Sequence, residues 1–139
     1  MESACAAQHI DHIGIAVHDL DAAMKLFHEL FSVPMGEPQD LADQGVKAVL
    51  LSVGQTRLEL LEPLQPESSV GRFLKTRGEG LHHLAFNVPN ITRSLSDLRE
   101  KAVRLVDEKP REGLSGMIAF IHPRSVHGVL TELVQTIPE

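Results

Sequence analysis

Residues 80–91 read Gly80-Leu-His-His-Leu-Ala-Phe-Asn-Val-Pro-Asn-Ile91 and repeat a pattern that first occurs in Ile10-Asp-His-Ile-Gly-Ile-Ala-Val-His-Asp-Leu20. In each copy a histidine is followed by a short apolar run and then by a polar turn. The two histidines, His12 and His83, lie 71 residues apart, and a helical pattern follows each turn. An internal repeat of this kind predicts an architecture built from two similar halves.

The size and charge of the chain limit what it can be. Its 139 residues suffice for one compact domain, or for two small halves that share a core. A net charge of −6 argues against nucleic acid as a partner, because phosphates need a basic surface. No apolar run is long enough to span a bilayer, and the N-terminus lacks a signal-peptide pattern. The single cysteine, Cys5, cannot form an internal disulfide, so we expect a reducing, cytoplasmic compartment.

The first half is predicted to contain a strand, a helix and a hairpin. A run rich in Ile and Val at 10–17 predicts a buried strand. Asp21 can N-cap a helix over 22–31, since its side chain can accept from a free backbone N–H of the first turn. The apolar residues at helical spacing predict the buried stripe of that helix: Ala23, Leu26, Phe27, Leu30 and Phe31. Strands at Val46–Val53 and Thr56–Glu62 follow as a hairpin.

The second half repeats this plan after a short helix or turn at 67–77. A strand at 82–88 leads to a helix with Thr92 as N-cap and an inner face of Leu95, Leu98 and Ala102. A strand near Val103–Val106 and a hairpin complete the half, with strands at Met117–His122 and Val129–Gln135. We therefore expect an α+β fold in a single domain, 1–139. Two tandem βαβββ modules, about 9–63 and 80–136, would be joined by a linker at 64–79 and would form a curved mixed sheet around a metal site.

One histidine and one glutamate occupy equivalent places in each half. Glu59 follows His12 by 47 residues, and Glu132 follows His83 by 49 residues, each glutamate in a predicted strand. Two imidazoles and two carboxylates suit a divalent ion such as Zn²⁺, Co²⁺, Ni²⁺ or Mn²⁺, and the two negative charges neutralise the ion. Burial of two glutamates in apolar strands without a partner would be costly, and a metal supplies that partner. A lone histidine in an apolar strand is more often a satisfied core residue.

A second group of charged residues, Arg72, Lys75 and Arg77, lies in the predicted linker. Its ordinary interpretation is a solvated basic cluster. The same cluster would also suit the phosphates of a bulky ligand.

The residues described above, together with several longer segments, give the chain a family resemblance. It resembles the vicinal oxygen chelate superfamily, and within it the methylmalonyl-CoA epimerase family most closely. The matching segments span nearly the whole chain: Ile10–Val17, Gln44–Val46, Leu58–Pro63, Ser69–Leu74, Gly80–Ala85, Phe120–Arg124 and Gly128–Val134. The histidine and glutamate signals are shared across the superfamily, whereas Ser69–Leu74 and the Phe-x-His-Pro segment point to the epimerases.

The resemblance implies paired βαβββ modules, a homodimer and interconversion of (R)- and (S)-methylmalonyl-CoA. It also implies a metal held by His12, His83 and Glu132, with Glu59 at a fourth place. One position departs from the pattern, because some epimerases carry a glutamate, thought to carry the proton, where this chain has Ala48. Those relatives tend to have glutamine where this chain has Glu59.

Epimerisation removes a proton from one face of a carbon and returns one to the other face, so it needs two acid–base groups. Since Ala48 cannot act in this way, we hypothesise that Glu59 and Glu132 shuttle the proton, as the glutamates of the related glyoxalase I do. The metal would stabilise the developing enolate charge.

Three alternatives use the same residues. Glyoxalase I itself would act on a glutathione hemithioacetal with the same metal chemistry. A non-haem iron dioxygenase would use His12, His83 and Glu132 as a facial triad, but Glu59 would crowd its open positions. A non-catalytic ligand-binding member of the superfamily generally lacks the metal ligands.

Overall fold

The computed structural model describes residues 6–136, so Cys5 lies outside the described residues. The chain divides into two compact units. The first, which we call module one, comprises His12–His82. The second, module two, begins at His83 and also includes the residues that precede His12. Within 6–136, no helix is both long and apolar enough to cross a membrane.

Module one contains four strands and two helices. In chain order these are β1 (His9–Ala16, whose first three residues belong to module two), α1 (Leu20–Phe31), β2 (Gln39–Leu41), β3 (Val46–Val53), β4 (Thr56–Pro63) and α2 (Ser69–Arg77). The strand order is β2-β3-β4-β1. Neighbours in the β2-β3-β4 part are antiparallel, whereas β1 and β4 are parallel.

The two faces of the module-one strands have different roles. Leu60, Val49 and Leu51 lie on one face and form an apolar core with Leu20 and Met24 of α1. Side chains alternate along a strand, so Glu59 of β4 faces the other way. The helix α1 therefore covers one face of the strands and leaves the face of Glu59 to the candidate site.

Module two has the same order of elements. They are β5 (Gly80–Asn87, which begins in the last residues of module one), α3 (Ile91–Glu100), β6 (Arg111–Glu112), β7 (Gly116–Ile121) and β8 (Thr131–Thr136). The strand order is β5-β8-β7-β6, with β5 and β8 parallel and the remaining pairs antiparallel. Leu95 of α3 packs with Ala119, Ile121 and Leu133 on the strand face opposite Glu132.

The predicted fold class is confirmed. Both halves have the order βαβββ, their eight strands belong to a mixed sheet, and the predicted joining segment is the helix α2. The strands at 46–53 and 56–63 match the predicted hairpin within one residue.

The predicted start of α1, and with it the buried stripe, is wrong. Asp19 is the N-cap and accepts a hydrogen bond from Ala22 N at 3.0 Å, so the helix begins at Leu20. The inward stripe then starts with Leu20 and Met24, whereas three of the five predicted residues are exposed: Leu26, Leu30 and Phe31. Only Ala23 and Phe27 of the predicted stripe pack against the core.

The start of α3 differs in the same way. Asn90, not Thr92, is its N-cap and accepts from Arg93 N at 3.1 Å. Leu95 is fully buried and Leu98 packs beside it, as predicted, but Ala102 lies beyond the helix end with a φ of 61° and is exposed.

The predicted strand at Val103–Val106 is also wrong. Only Leu105 forms an isolated bridge, to Ile121, and the strand is instead the pair Arg111–Glu112. The reason is that the Asp107 carboxylate accepts the Phe120 N–H at 2.8 Å. A side-chain oxygen there replaces the carbonyl that a continuing strand would offer to β7.

Candidate active site

Module one places His12 and Glu59 on one face of its strands. In the parallel β1–β4 pair, Gly14 lies opposite Glu59 and His12 lies two residues earlier, so alternation directs both side chains to the same side. His12 Nε2 is 3.6 Å from Glu59 Oε1. The histidine is 3% exposed and the glutamate 7%.

Module two repeats the arrangement with His83 and Glu132. Ala85 lies opposite Glu132 in the parallel β5–β8 pair, and His83 precedes it by two residues. His83 Nε2 is 3.8 Å from Glu132 Oε1, and both residues are buried. The register of the repeat thus agrees with the sequence, since Gly14 and Ala85 occupy equivalent positions.

An aromatic ring supports the pair in module two. Phe120 lies opposite Glu132 in the β7–β8 ladder, and its ring meets the His83 ring edge-on at a centroid distance of 5.3 Å. The equivalent residue in module one, opposite Glu59, is Leu50. The sequence singled out Phe120 only as part of the Phe-x-His-Pro segment, because its place beside Glu132 depends on the register of the β7–β8 pair.

The chemistry of the four side chains fits a divalent metal ion. Buried carboxylates and imidazoles are ordinary ligands of first-row transition metals, and a cation compensates the cost of burying the carboxylates. Three of the four, His12, Glu59 and His83, are buried side chains of a group that could hold a metal ion. Glu132 is buried beside His83 and adds a second carboxylate.

Each module supplies one carboxylate to this face of its strands. In module one the register places Ala48 and Leu50 on the side of Glu59, and Ala48 is fully buried. The neighbouring Glu62 points to the opposite face, where its Oε1 accepts from Leu20 N at the start of α1 at 2.9 Å. Lys47 also faces away and pairs with Asp21 at 3.8 Å. Because residue 48 is an alanine, Glu59 is the only carboxylate on this face among the described strand residues of module one.

The two histidines that adjoin the predicted motifs have structural contacts. His82 packs edge-on against Phe73 at a centroid distance of 4.9 Å. His122 directly follows β7, one residue beyond the observed strand end, and its Nδ1 accepts from Arg124 N at 3.1 Å. Burial, followed by the nearby guanidinium groups of Arg104 and Arg124, lowers the pKa of His122 below its usual value.

Comparison with known proteins places this geometry in a family. The family model for the glyoxalase/bleomycin resistance protein/dioxygenase superfamily matches residues 11–120. A mitochondrial methylmalonyl-CoA epimerase of Bos taurus is 37% identical over 128 residues, which cover 91% of this chain and 73% of the relative.

Two solved structures extend the likeness to three dimensions. The crystal structure of methylmalonyl-CoA epimerase from Mycobacterium tuberculosis matches with a TM-score of 0.92 and 36% identity, covering 99% of this chain and 94% of that one. A methylmalonyl-CoA epimerase in complex with methylmalonyl-CoA and NH4+ matches with a TM-score of 0.90 and 39% identity, covering 94% and 96%. The chain belongs to the glyoxalase/bleomycin resistance protein/dioxygenase superfamily and, within it, to the methylmalonyl-CoA epimerase family.

Proposed function

We propose that this protein interconverts (R)- and (S)-methylmalonyl-CoA, and that Glu59 and Glu132 exchange the proton at the carbon between the thioester and the carboxylate. The observation that carries the proposal is the buried imidazole–carboxylate pair in each module, at equivalent positions of the repeat. The relatives named as methylmalonyl-CoA epimerases, one of them solved with methylmalonyl-CoA, support the choice of substrate.

The two carboxylates suit the two halves of the reaction. A base must take the proton from one face of the carbon, and an acid must return a proton to the other face. Glu59 and Glu132 come from different strands of different modules, and each lies within 4 Å of an imidazole of its own module. Because both glutamates are largely shielded from water, a proton that one of them takes up is protected from exchange with bulk solvent.

His12, His83, Glu132 and Glu59 would hold the divalent ion. Such an ion, when bound, would stabilise the negative charge that develops on the substrate as its proton leaves. Each histidine lies next to the glutamate of its own module across a parallel strand pair. A cytoplasmic location and a homodimer stay predictions from the sequence.

A glutamine substitution tests the role of Glu59. Glu59→Gln keeps an oxygen that can contact a metal but cannot accept a proton. We expect the variant to retain bound metal and to lose deuterium incorporation from one enantiomer by a factor of about 10²–10⁴. The measurement is solvent-deuterium uptake by (R)- and (S)-methylmalonyl-CoA separately, followed by mass spectrometry, alongside metal analysis of the same samples.

The matched control lies on the same strand. Glu62→Gln retains an oxygen that can accept from Leu20 N, and it lies on the face away from the site, so we expect exchange at the wild-type rate with both enantiomers. Full activity of Glu59→Gln toward both enantiomers would rule out the two-glutamate scheme.

A further inference from the structure

Module two carries a further charged residue, Arg111, on the strand face that holds Glu132. Arg111 lies opposite Ile118 in the β6–β7 pair, and Phe120 follows Ile118 by two residues. Phe120 in turn lies opposite Glu132 in the β7–β8 pair. Because residues opposite each other in an antiparallel pair point to the same face, the side chains of Arg111, Phe120 and Glu132 share one face.

Two contacts connect the Arg111 side chain with His83 through one aromatic ring. The Arg111 Cζ lies over the Phe120 ring, 6.0 Å from its centroid. A guanidinium in this position is attracted by the ring quadrupole. The same ring meets the His83 ring edge-on, with a centroid distance of 5.3 Å and an angle of 88° between the planes. Phe120 therefore contacts both a cation and the His83 imidazole.

Asp107 fixes the position of the guanidinium. Its Oδ2 accepts the Phe120 N–H at 2.8 Å, and its Oδ1 lies 3.4 Å from the buried Arg111 Nε. One carboxylate thus contacts both the backbone that carries the ring and the cation that lies over the ring. The carboxylate also compensates the positive charge of Arg111, which would otherwise repel a cation bound at His83.

Module one folds without this arrangement. Gln39 lies opposite Ala48 in the β2–β3 pair, which makes it the equivalent of Arg111. Leu50 takes the place of Phe120. Gln39 is exposed and uncharged, and Leu50 has no ring. Since both modules have the same order of elements, the fold itself does not require Arg111.

We propose that Arg111 is a positioning residue that holds the Phe120 ring against His83 and so keeps the imidazole in the orientation that binds the divalent ion. The role of the ion rests on the proposed function. Arg111 acts through Phe120 and does not itself contact the ion. A side chain that orients a metal ligand in this way contributes about 10- to 100-fold to metal affinity.

Titration with Co²⁺ alone, without substrate, tests this role. In calorimetry of the metal-free protein, we expect Arg111→Ala to weaken Co²⁺ binding about tenfold, at the lower end of the range for such residues. A pure charge effect would have the opposite sign, because loss of a positive charge reduces repulsion of the ion. Arg111→Lys keeps a cation that can lie over the ring and should recover most of the affinity. Unchanged or tighter Co²⁺ binding by Arg111→Ala would overturn the proposal, as would equal affinities of Arg111→Ala and Arg111→Lys.

A double-mutant cycle tests whether Arg111 acts through Phe120. Phe120→Leu installs the residue that module one has at the equivalent position. In this background, Arg111→Ala should change Co²⁺ affinity by no more than about twofold, which is within the usual error of additivity. A loss as large as in the wild-type background would show that Arg111 acts independently of the ring, and would contradict the proposal.

Arg99→Ala is the matched control. Arg99 is an exposed arginine of the same module that also pairs with a carboxylate, since its Nε lies 3.7 Å from Glu108 Oε2, but it belongs to α3. We expect this variant to bind Co²⁺ as the wild type does. Thermal unfolding of each variant gives a titration temperature at which all are folded. If Arg111→Ala does not fold, Arg111→Gln, which places the module-one residue at this position, should show the same loss of Co²⁺ affinity.

The binding measurement does not depend on turnover. A wild-type protein whose Co²⁺ affinity depends on Arg111, but which fails to exchange deuterium, would contradict the epimerase proposal alone. Normal exchange combined with Co²⁺ affinity that is independent of Arg111 would contradict the positioning role alone. Normal exchange by a wild-type protein that binds no Co²⁺ would overturn the positioning role together with the proposed metal site.

Discussion

The two modules present the same pair of side chains in unequal surroundings. In module two, Phe120 packs edge-on against His83, and Glu132 is 3% exposed. In module one the position of Phe120 is taken by the half-buried Leu50, and Glu59 is 7% exposed. The equivalent positions also carry smaller residues in module one, where Gly14 and Ala48 replace Ala85 and Ile118.

The difference suggests that the two modules contribute differently to cation binding and to proton transfer. A ring confined by an aromatic neighbour keeps a ligand in one orientation, which favours a stable metal centre. A glutamate with smaller neighbours keeps more side-chain freedom, which suits a proton carrier. We therefore expect His83 and Glu132 to contribute more to cation affinity, and Glu59 to contribute more to proton transfer.

We expect removal of the cation to have the largest effect on deuterium uptake. The number of ions bound per chain tests whether the two modules act together on one ion. After chelation and buffer exchange, we expect deuterium uptake to fall by a factor of at least about 10³, since charge stabilisation of the developing enolate is lost. Re-addition of Co²⁺ or Zn²⁺ should restore it at one ion per chain, measured by elemental analysis. Two ions per chain would mean that each module binds its own, and full exchange without metal would exclude a metal role.

Truncation at the equivalent positions Phe120 and Leu50 should give a smaller but unequal effect. Phe120→Ala removes a ring that is 9% exposed, and we expect it to cost about 3 kcal/mol of unfolding free energy, against about 1–2 kcal/mol for the half-buried Leu50→Ala. Phe120→Ala should also weaken cation binding, because His83 loses its neighbour. Urea denaturation and metal titration measure both quantities. Equal effects of the two substitutions would remove the proposed asymmetry.

We expect the smallest effect from a substitution of His122, which directly follows β7 of module two. Module one has no histidine at the equivalent position. The pKa of His122 is lowered in the folded protein, so the unfolded chain takes up this proton first as the pH falls. Its contribution to stability is therefore complete well above pH 6.5 and declines as the pH falls through that value. His122→Asn keeps a helix-capping side chain and should show a slightly smaller fall in Tm between pH 7.5 and 5.5. An unchanged pH dependence would contradict this role.

The repeat made much of the architecture predictable, because equivalent positions constrain each other. The strands that carry His12, Glu59, His83 and Glu132 were all predicted within two residues of their observed bounds. Their side-chain pairing within each module also follows from strand alternation. The spacing of these four residues does not predict which side chains lie next to them on the neighbouring strands, because that depends on strand register.

The wrong predictions share one physical origin, since in each case two nearby residues or groups could fill the same structural position. Asp19 and Asp21 are both good N-caps, and the choice of Asp21 removed Leu20 from the helix and shifted the expected stripe toward exposed residues. Near β6, the sequence at 103–106 has the apolar character of a strand, but the Asp107 carboxylate occupies the hydrogen-bonding position on β7. Neither choice can be made without knowing which tertiary contacts compete.

The connection between β4 and α2 requires a residue without a Cβ atom at position 71. A Cβ at Gly71 would lie 2.3 Å from the Pro66 carbonyl oxygen, a backbone atom that cannot rotate away. Even alanine would therefore force the start of α2 away from Pro66. In a saturation library selected for folding, position 71 should therefore be the most depleted site of the segment, while its exposed neighbour Arg72 accepts almost any residue.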